Sequence, residues 1–170
     1  MFQSTKLNER NTDPLQPGVT VLSGRRHAAG LEADITGRLS PRWEVFGSFM
    51  WMPVAKIDVG GQGAEAAGSR PSLTPRVSAT LWNTYQINGQ WRVGAGLNHR
   101  GAQTPNRNPG WEAPAFTTAD VMAEYRYDEQ FTFKGNVSNL TNKRYADQLY
   151  SGHYVPGAGR LVQVTGSYKF

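Results

Sequence analysis

The tightest constraint on this chain is a strict period of two close to its end. From Arg160 to Phe170, Val162, Val164, Gly166, Tyr168 and Phe170 fall on one face of an extended strand, and Gln163, Thr165, Ser167 and Lys169 fall on the other. The preceding segment, Phe131 to Asn139, divides in the same way, with Phe131, Phe133, Gly135 and Val137 opposite Thr132, Lys134, Asn136 and Ser138. Both segments read as β-strands with one oily and one wet face. A soluble sheet with one buried face gives this alternation too, so the period alone leaves open what covers the oily side.

Upstream the same reading predicts seven more strands: Met1 to Arg10, Val19 to Ser23, His27 to Ser40, Arg42 to Ile57, Pro75 to Ile87, Gln90 to Ala102 and Phe116 to Tyr127. Gly24 to His27 is expected to close a hairpin between the second and third. Alternation is clean in most of these, but in Arg42 to Ile57 the polar face also holds Phe46, Met50, Met52 and Val54. In Pro75 to Ile87, Trp82 sits among the polar set. Connections alternate in length, short at Ser40-Pro41, Asn88-Gly89 and Asp128-Glu129, long at 58–73, 103–115 and 141–158. A transmembrane barrel predicts that rhythm, with tight turns on one side of the membrane and larger loops on the other. Trp43, Tyr85, Trp91, Tyr127, Phe131 and Phe170 all lie on the apolar face beside a short turn or the chain end. They are expected to form one girdle at a membrane interface, where aromatic rings straddle oil and water.

Composition agrees with that architecture. Nineteen glycines and 11% aromatic residues suit an all-β chain with many turns. Mean hydropathy is −0.54, and no apolar run approaches the roughly 18 residues of a membrane-spanning helix. Barrel strands escape that test because only alternate residues meet lipid. The absence of cysteine excludes disulfides and thiolate chemistry. The net charge of +5 is spread singly, without the basic stripe of a nucleic-acid module, so no nucleic-acid partner is expected. Met1 to Arg10 carries no apolar core of a secretory signal, from which the expectation is a piece of a longer protein.

The run Asn136 to Tyr145 (NVSNLTNKRY), then Tyr150, Gly152 to Gly157 (GHYVPG), Arg160 and a closing Tyr168-Lys169-Phe170, resembles the C-terminal signature of TonB-dependent outer-membrane receptors, close to the siderophore branch. Upstream, Leu73 to Arg76 leading into Trp82 to Tyr85, and Gly30 to Glu32 followed by Gly37 to Pro41, are similar to the repeating strand beginnings of that family. One departure is that Thr165, with Gly166 beside it, stands where the insertion signal usually sets glycine. The resemblance implies an antiparallel up-and-down transmembrane β-barrel of about 22 strands, of which this chain supplies about nine C-terminal ones. The plug and the signal peptide would precede it. It further implies uptake of a ferric siderophore, catecholates being one class, with energy from the TonB complex acting on the plug. It implies outer-membrane lipid and the barrel assembly machinery as partners, and no cofactor or enzymatic activity.

Candidate residues follow from the two faces and the loops. Arg76, Arg92, Arg100, Arg126, Lys134 and Lys169, with Glu32, Asp34, Glu44, Asp120 and Glu124, are expected to line the lumen. They read either as a mixed polar lining that pairs internally and holds the plug or as a positive lumen that draws an anionic ferric chelate inward, and the two readings are compatible. On the long loops Arg107, Trp111, Tyr150, His153 and Tyr154 supply the basic and aromatic groups that suit a flat, anionic, aryl-bearing ligand; self-packing of the loops and anchoring at the membrane interface is the plainer reading. Tyr168 and Phe170 resemble the assembly signal. His27, His99 and His153 are too scattered for a metal site or a general base. Gly94-Ala95-Gly96 lacks the helix that phosphate binding requires, and reads as a place for curvature or for a close neighbour. The alternative to a receptor wall is a small outer-membrane barrel of its own, or a β-sandwich binding a polar ligand.

Overall fold

In a computed structural model of the chain, residues 1–13, 15–16, 18–60, 66–106, 108 and 110–170 are described. They form ten strands: β1 (Phe2–Thr12), β2 (Thr20–Ser40), β3 (Trp43–Val59), β4 (Val77–Gln86), β5 (Trp91–Arg100), β6 (Phe116–Arg126), β7 (Phe131–Ser138), β8 (Ala146–Leu149), β9 (Tyr154–Pro156) and β10 (Leu161–Tyr168). Eight build one antiparallel sheet in the order β1-β2-β3-β4-β5-β6-β7-β10, and β8 and β9 pair as a separate small hairpin. Each strand of the large sheet thus neighbours the next in sequence, which is the up-and-down arrangement. Its two edges are β1 and β10.

Directly opposed residues share a face, and the register carries the apolar rows across the wall without a break. Trp43 faces Tyr85, Tyr85 faces Val93, Val93 faces Ala123, Ala123 faces Gly135 and Gly135 faces Val164. Val164 is 75% exposed and Phe131, Trp91 and Leu97 are also open to the surroundings. An oily face left this bare on a single sheet is what lipid solvates in a membrane barrel.

Several of the aromatic residues expected in a girdle are neighbours on the sheet, and Tyr125 stands among them. Phe131 lies opposite Tyr168 with ring centroids 4.7 Å apart, and Trp91 lies opposite Tyr125 at the same spacing. Tyr125 therefore joins Trp43, Tyr85, Trp91, Tyr127 and Phe131. Phe170 meets Tyr168 edge-on at 5.0 Å. The girdle also reveals strand tilt. The row running straight across the strands from Trp43 reaches β10 at Val164, four residues before Tyr168. That is roughly 13 Å over about 24 Å of sheet, an inclination of about 30°, near the range of transmembrane barrels.

Two expectations need correction in detail. Val19 to Ser23 and His27 to Ser40 belong to one strand, and Gly24 to His27 is no hairpin. Arg26 is held to Glu9 of β1, and His27 Nδ1 lies 2.9 Å from Asp58 Oδ2 of β3, so side chains on both flanks keep the backbone in the ladder. Gly24 serves a close approach instead, since a Cβ there would lie 2.8 Å from that of Glu9. The large sheet consequently has eight strands, and the extra hairpin β8–β9, of four and three residues, is too short for alternation to show it.

The uneven patterning of Arg42 to Ile57 has a local cause from Val54 onward, whereas Phe46 and Met50 stay on the inner face with Trp82 and Glu32. Between the pairs Ala29–Val54 and Leu31–Trp51, β3 spends two residues, Met52 and Pro53, against the single Gly30 of β2. Such a bulge shifts the alternation by one. Above it Val54 and Lys56 take the outward side while Ala55 and Ile57 turn inward, and Ile57 is only 2% exposed. Residues 68–69 close over it, because Ile57 N–H donates to Ser69 O and Gly68 N–H to Ile57 O.

Candidate ligand vestibule

The long connections all leave the end of the wall opposite the girdle. Each begins on a strand whose polar face turns toward the lumen, so a loop that folds inward meets the polar row. The β7–β10 connection does so around one residue. Asn139 is 4% exposed, sits at φ 49° and holds both limbs of the loop: its Nδ2 donates to Lys143 O (2.8 Å) and Ala158 O (2.9 Å), and its Oδ1 accepts from Lys143 N–H (2.8 Å). Asn is among the few residues that enter the left-handed region readily, and its amide can donate and accept at once. Asn142, also left-handed at φ 52°, accepts from Arg160 N–H at 3.0 Å. The NLTN stretch is thus a neck clamp.

The clamp is tied to the lumenal row. Asn139 N–H donates to Asp120 Oδ1 (2.7 Å), and Asn98 Nδ2 donates to Asp120 Oδ2 (3.1 Å). Tyr145 stacks on Phe116 with centroids 4.2 Å apart, and Arg100 lies over the other aromatic partner of that stack, 5.5 Å from the Phe116 centroid. Arg100 Nη1 donates to Asp147 O at 2.9 Å. Beneath the loop these residues enclose a cavity of about 850 Å3, lined among others by Arg100, Asp120, Asn139, Tyr145, Gln148 and Tyr150. Its size is that of a ligand vestibule.

Of the loop residues singled out from the sequence, Tyr150 lines this cavity, Trp111, His153 and Tyr154 stand on the surrounding loops outside its lining, and Arg107 lies outside the described residues. Tyr150 stacks on His153 (4.7 Å, 11°) and donates through its hydroxyl to Gln148 Oε1 (2.9 Å). Trp111 of the β5–β6 loop stacks on Tyr154 of the hairpin (6.0 Å, 17°), joining the two loops. All four rings stay exposed. They form two aromatic plates, each self-paired on one side and open on the other.

Nearer the short turns, several of the polar residues expected to line a lumen share one face of the sheet. Arg92 and Lys134 both stand opposite Glu124 in register. Glu44 Oε2 accepts from Arg92 Nη2 at 2.6 Å and its Oε1 from Arg38 Nε at 3.0 Å, with Thr84 Oγ1 donating to Oε2 at 3.3 Å. Arg126 lines a cavity beside the short turns together with Lys169. Arg76 turns back to the rim and donates to Pro53 O at 3.3 Å. Asp120 and Arg100 serve chiefly to hold the loop.

Sequence reasoning passed over two groups. Arg70 gathers the rim: its Nε donates to Thr74 O (2.8 Å) and its Nη2 to Met52 O (2.7 Å) and Pro75 O (3.2 Å). Burial, with a smaller contribution from the nearby Arg76 charge, lowers its pKa. Nothing in a loop rich in small residues marks it out. Trp82 is the other. Its indole lies along the inner wall across β5, where a Cβ at Gly96 would stand 2.2 Å from Cε3 and one at Gly94 would stand 2.9 Å from Cζ2. Of the two readings of Gly94-Ala95-Gly96, curvature or a close neighbour, the second holds, the neighbour being this ring.

Comparison with known proteins agrees with the geometry. Residues 1–140 match the family model described as TonB dependent receptor-like, beta-barrel. The chain is 29% identical, over 97% of its length, to the probable TonB-dependent receptor BfrD of Bordetella pertussis, and 31% identical, over 86%, to the catecholate siderophore receptor Fiu of Escherichia coli K12. It spans 23% and 20% of those two proteins. The crystal structure of the ferric-catecholate import receptor Fiu in its closed form superposes with a TM-score of 0.86 at 27% identity, covering 99% of this chain and 24% of that one.

Proposed function

Since the chain belongs to the TonB-dependent receptor β-barrel family, we propose that it forms part of the wall and outer loops of an outer-membrane receptor that takes up a ferric siderophore, a catecholate being the class best suited, with energy from TonB. The observation that carries this reading is the joining of a lipid-ready wall to an inward-folded loop over an 850 Å3 cavity lined by Tyr145 and Tyr150, with exposed aromatic stacks, Tyr150 on His153 and Trp111 on Tyr154, on the adjoining loops. A flat aryl chelate can stack on such plates while cationic groups attract its charge.

The wall itself argues for a larger barrel. At membrane depth every backbone N–H and C=O needs a partner, because lipid offers none. The edges β1 and β10 do not pair with each other, which speaks against the alternative of a small closed barrel of eight strands. Further strands, a plug within the lumen, lipid around the apolar rows and assembly through Tyr168 and Phe170 belong to this proposal.

The test is uptake of radioactive iron, presented as a catecholate chelate, by cells whose only such receptor is the natural full-length protein. TonB-dependent uptake that weakens when Trp111 and Tyr150 are replaced, at unchanged receptor abundance, is the expected result. Failure of the receptor to bind any ferric catecholate overturns the reading.

A further inference from the structure

A polar side chain on the lipid-facing side of the wall has to be accounted for. The outward row that runs from Val45 of β3 through Asn83 of β4 to Ala95, Val121, Val137 and Val162 is apolar at every strand except β4. Asn83 stands in it half-buried. Its place along β4 is two residues from Tyr85, about 7 Å nearer the middle of the wall than that girdle residue. Hydrocarbon chains offer no partner to an amide, and a polar group left unpaired among them is costly.

One half of the amide is already engaged. Trp43 Nε1 donates to Asn83 Oδ1 at 3.2 Å. An indole N–H can only donate, so this contact fixes which end of the amide faces the ring: the oxygen accepts from Trp43, and Nδ2 is turned away with both of its N–H groups. Neither N–H finds an acceptor among the described residues. Trp43 and Tyr85 stand opposite each other one step nearer the short turns, and both rings are exposed. Rings of a girdle sit at the level of lipid headgroups. Just inside that level, the acceptors that a bilayer presents are the ester carbonyls joining lipid heads to their chains.

We infer that Asn83, oriented by Trp43 and flanked by Tyr85, is a binding site for one diacyl phospholipid of the leaflet on the short-turn side, whose glycerol ester carbonyl accepts from Asn83 Nδ2. The inference rests on the reading of the chain as the wall of an outer-membrane receptor, and it concerns the lipid-facing surface of that wall, which a plug in the lumen does not reach. The glycerol region lies against the rings of Trp43 and Tyr85, and an acyl chain continues along the apolar rows toward the middle of the membrane. The recognised feature is the ester and not the charge of the headgroup, since no cationic group shares the outward row. A dialkyl phospholipid, which carries ether oxygens and no ester carbonyls, is therefore a poorer ligand of nearly the same shape.

The experiment strips the natural full-length protein of lipid in detergent and counts bound lipids by native mass spectrometry as phosphatidylethanolamine is added. The lipid is supplied in its diacyl form and in the dialkyl ether form with the same headgroup and chain lengths. The unaltered protein is expected to bind its first diacyl lipid about three- to tenfold more tightly than the ether lipid, the range of one neutral hydrogen bond. Asn83→Val, a residue suited to a lipid-facing strand, is expected to abolish that preference, and Trp43→Phe, which frees the amide to turn, to reduce it. Equal affinity for the two lipids in the unaltered protein overturns the inference without need of any variant, and leaves Asn83 Nδ2 to interfacial water. A preference that persists in full in Asn83→Val overturns it as well. Ferric catecholate binding and uptake by the unaltered protein, measured in parallel, leave the receptor reading standing in either case.

Discussion

The ring of Tyr145 lies directly on the backbone of Gly157, so close that a Cβ at Gly157 would stand 2.0 Å from Tyr145 Cζ. The amide of Gly157 also donates to Tyr145 O at 2.9 Å. One limb of the vestibule loop is thereby pressed against the other, above the Asn139 clamp. Gly157→Ala forces the ring off its seat, and overpacking of this kind costs about 1–3 kcal/mol. Protease cleavage within residues 146–156 is expected to quicken accordingly. In a Tyr145→Ala background the same change is expected to cost little, because the clash is gone; an equal cost in both backgrounds would sink the contact.

Arg70 carries the rim of the β3–β4 loop through carbonyls of Met52, Thr74 and Pro75. A bulge leaves carbonyls without strand partners, and this guanidinium satisfies them. Arg70→Met removes the donors and keeps much of the apolar stem. The expected loss is about 1–3 kcal/mol, read as faster amide exchange at Gly68 and Ser69, with the exchange of β6 and β7 unmoved. Unchanged exchange at Gly68 and Ser69 contradicts the assignment.

Asp58 stands beyond the apolar belt, near the outer end of β3. The hydrogen bond with His27 lowers its pKa below the usual 3.8, against the opposing effect of desolvation, and the charges of His27, Arg25 and Lys56 add to the lowering. A carboxylate with a depressed folded pKa contributes stability that is complete above its unfolded value and is lost as pH falls through the folded one. The outer end of the β2–β3 ribbon is therefore expected to loosen only below about pH 4. Amide exchange at His27 and Ile57, followed down to acid pH, measures it. Asp58→Asn is expected to flatten that response, and a response equally steep in the variant contradicts the role given to Asp58.

Tyr168 pairs with Phe131 and meets Phe170 edge-on, so the last three residues bring aromatic surface to the girdle. Phe170→Ser is expected to lower the amount of full-length protein reaching the outer membrane severalfold, measured by fractionation and by heat-dependent mobility. Normal levels return Phe170 to a role in lipid contact alone.

Most of the wall could be read from the residues, because a period of two states both the face and the environment of each side chain. The rows through Val162, Val164 and Gly166, and the girdle residues beside each short turn, needed nothing else. What escaped had no periodic trace. The bulge at Met52-Pro53 looked like poor alternation, since a one-residue slip mixes the two faces when counted straight through. Gly24-Arg25-Arg26-His27 looked like a turn because its strand character comes from Glu9 and Asp58, residues distant in sequence that pair with its cations. In the vestibule the loop rings were legible as types, whereas the clamp on Asn139 depends on left-handed backbone and carbonyls that no residue pattern announces.

The bulge has a consequence for how such a wall can change over time. Below Gly30 the strands must obey lipid on one side and the lumen on the other, and any residue gained or lost there would turn a whole row inside out. Above it, parity has already been reset once. The upper ribbon of β2 and β3 answers to its own neighbours, Ile57 beneath residues 68–69 and Lys56 outward, and so can lengthen, shorten or be exchanged without disturbing the membrane-facing rows. Gly30 marks the seam at which the inward and outward rows of β3 exchange places.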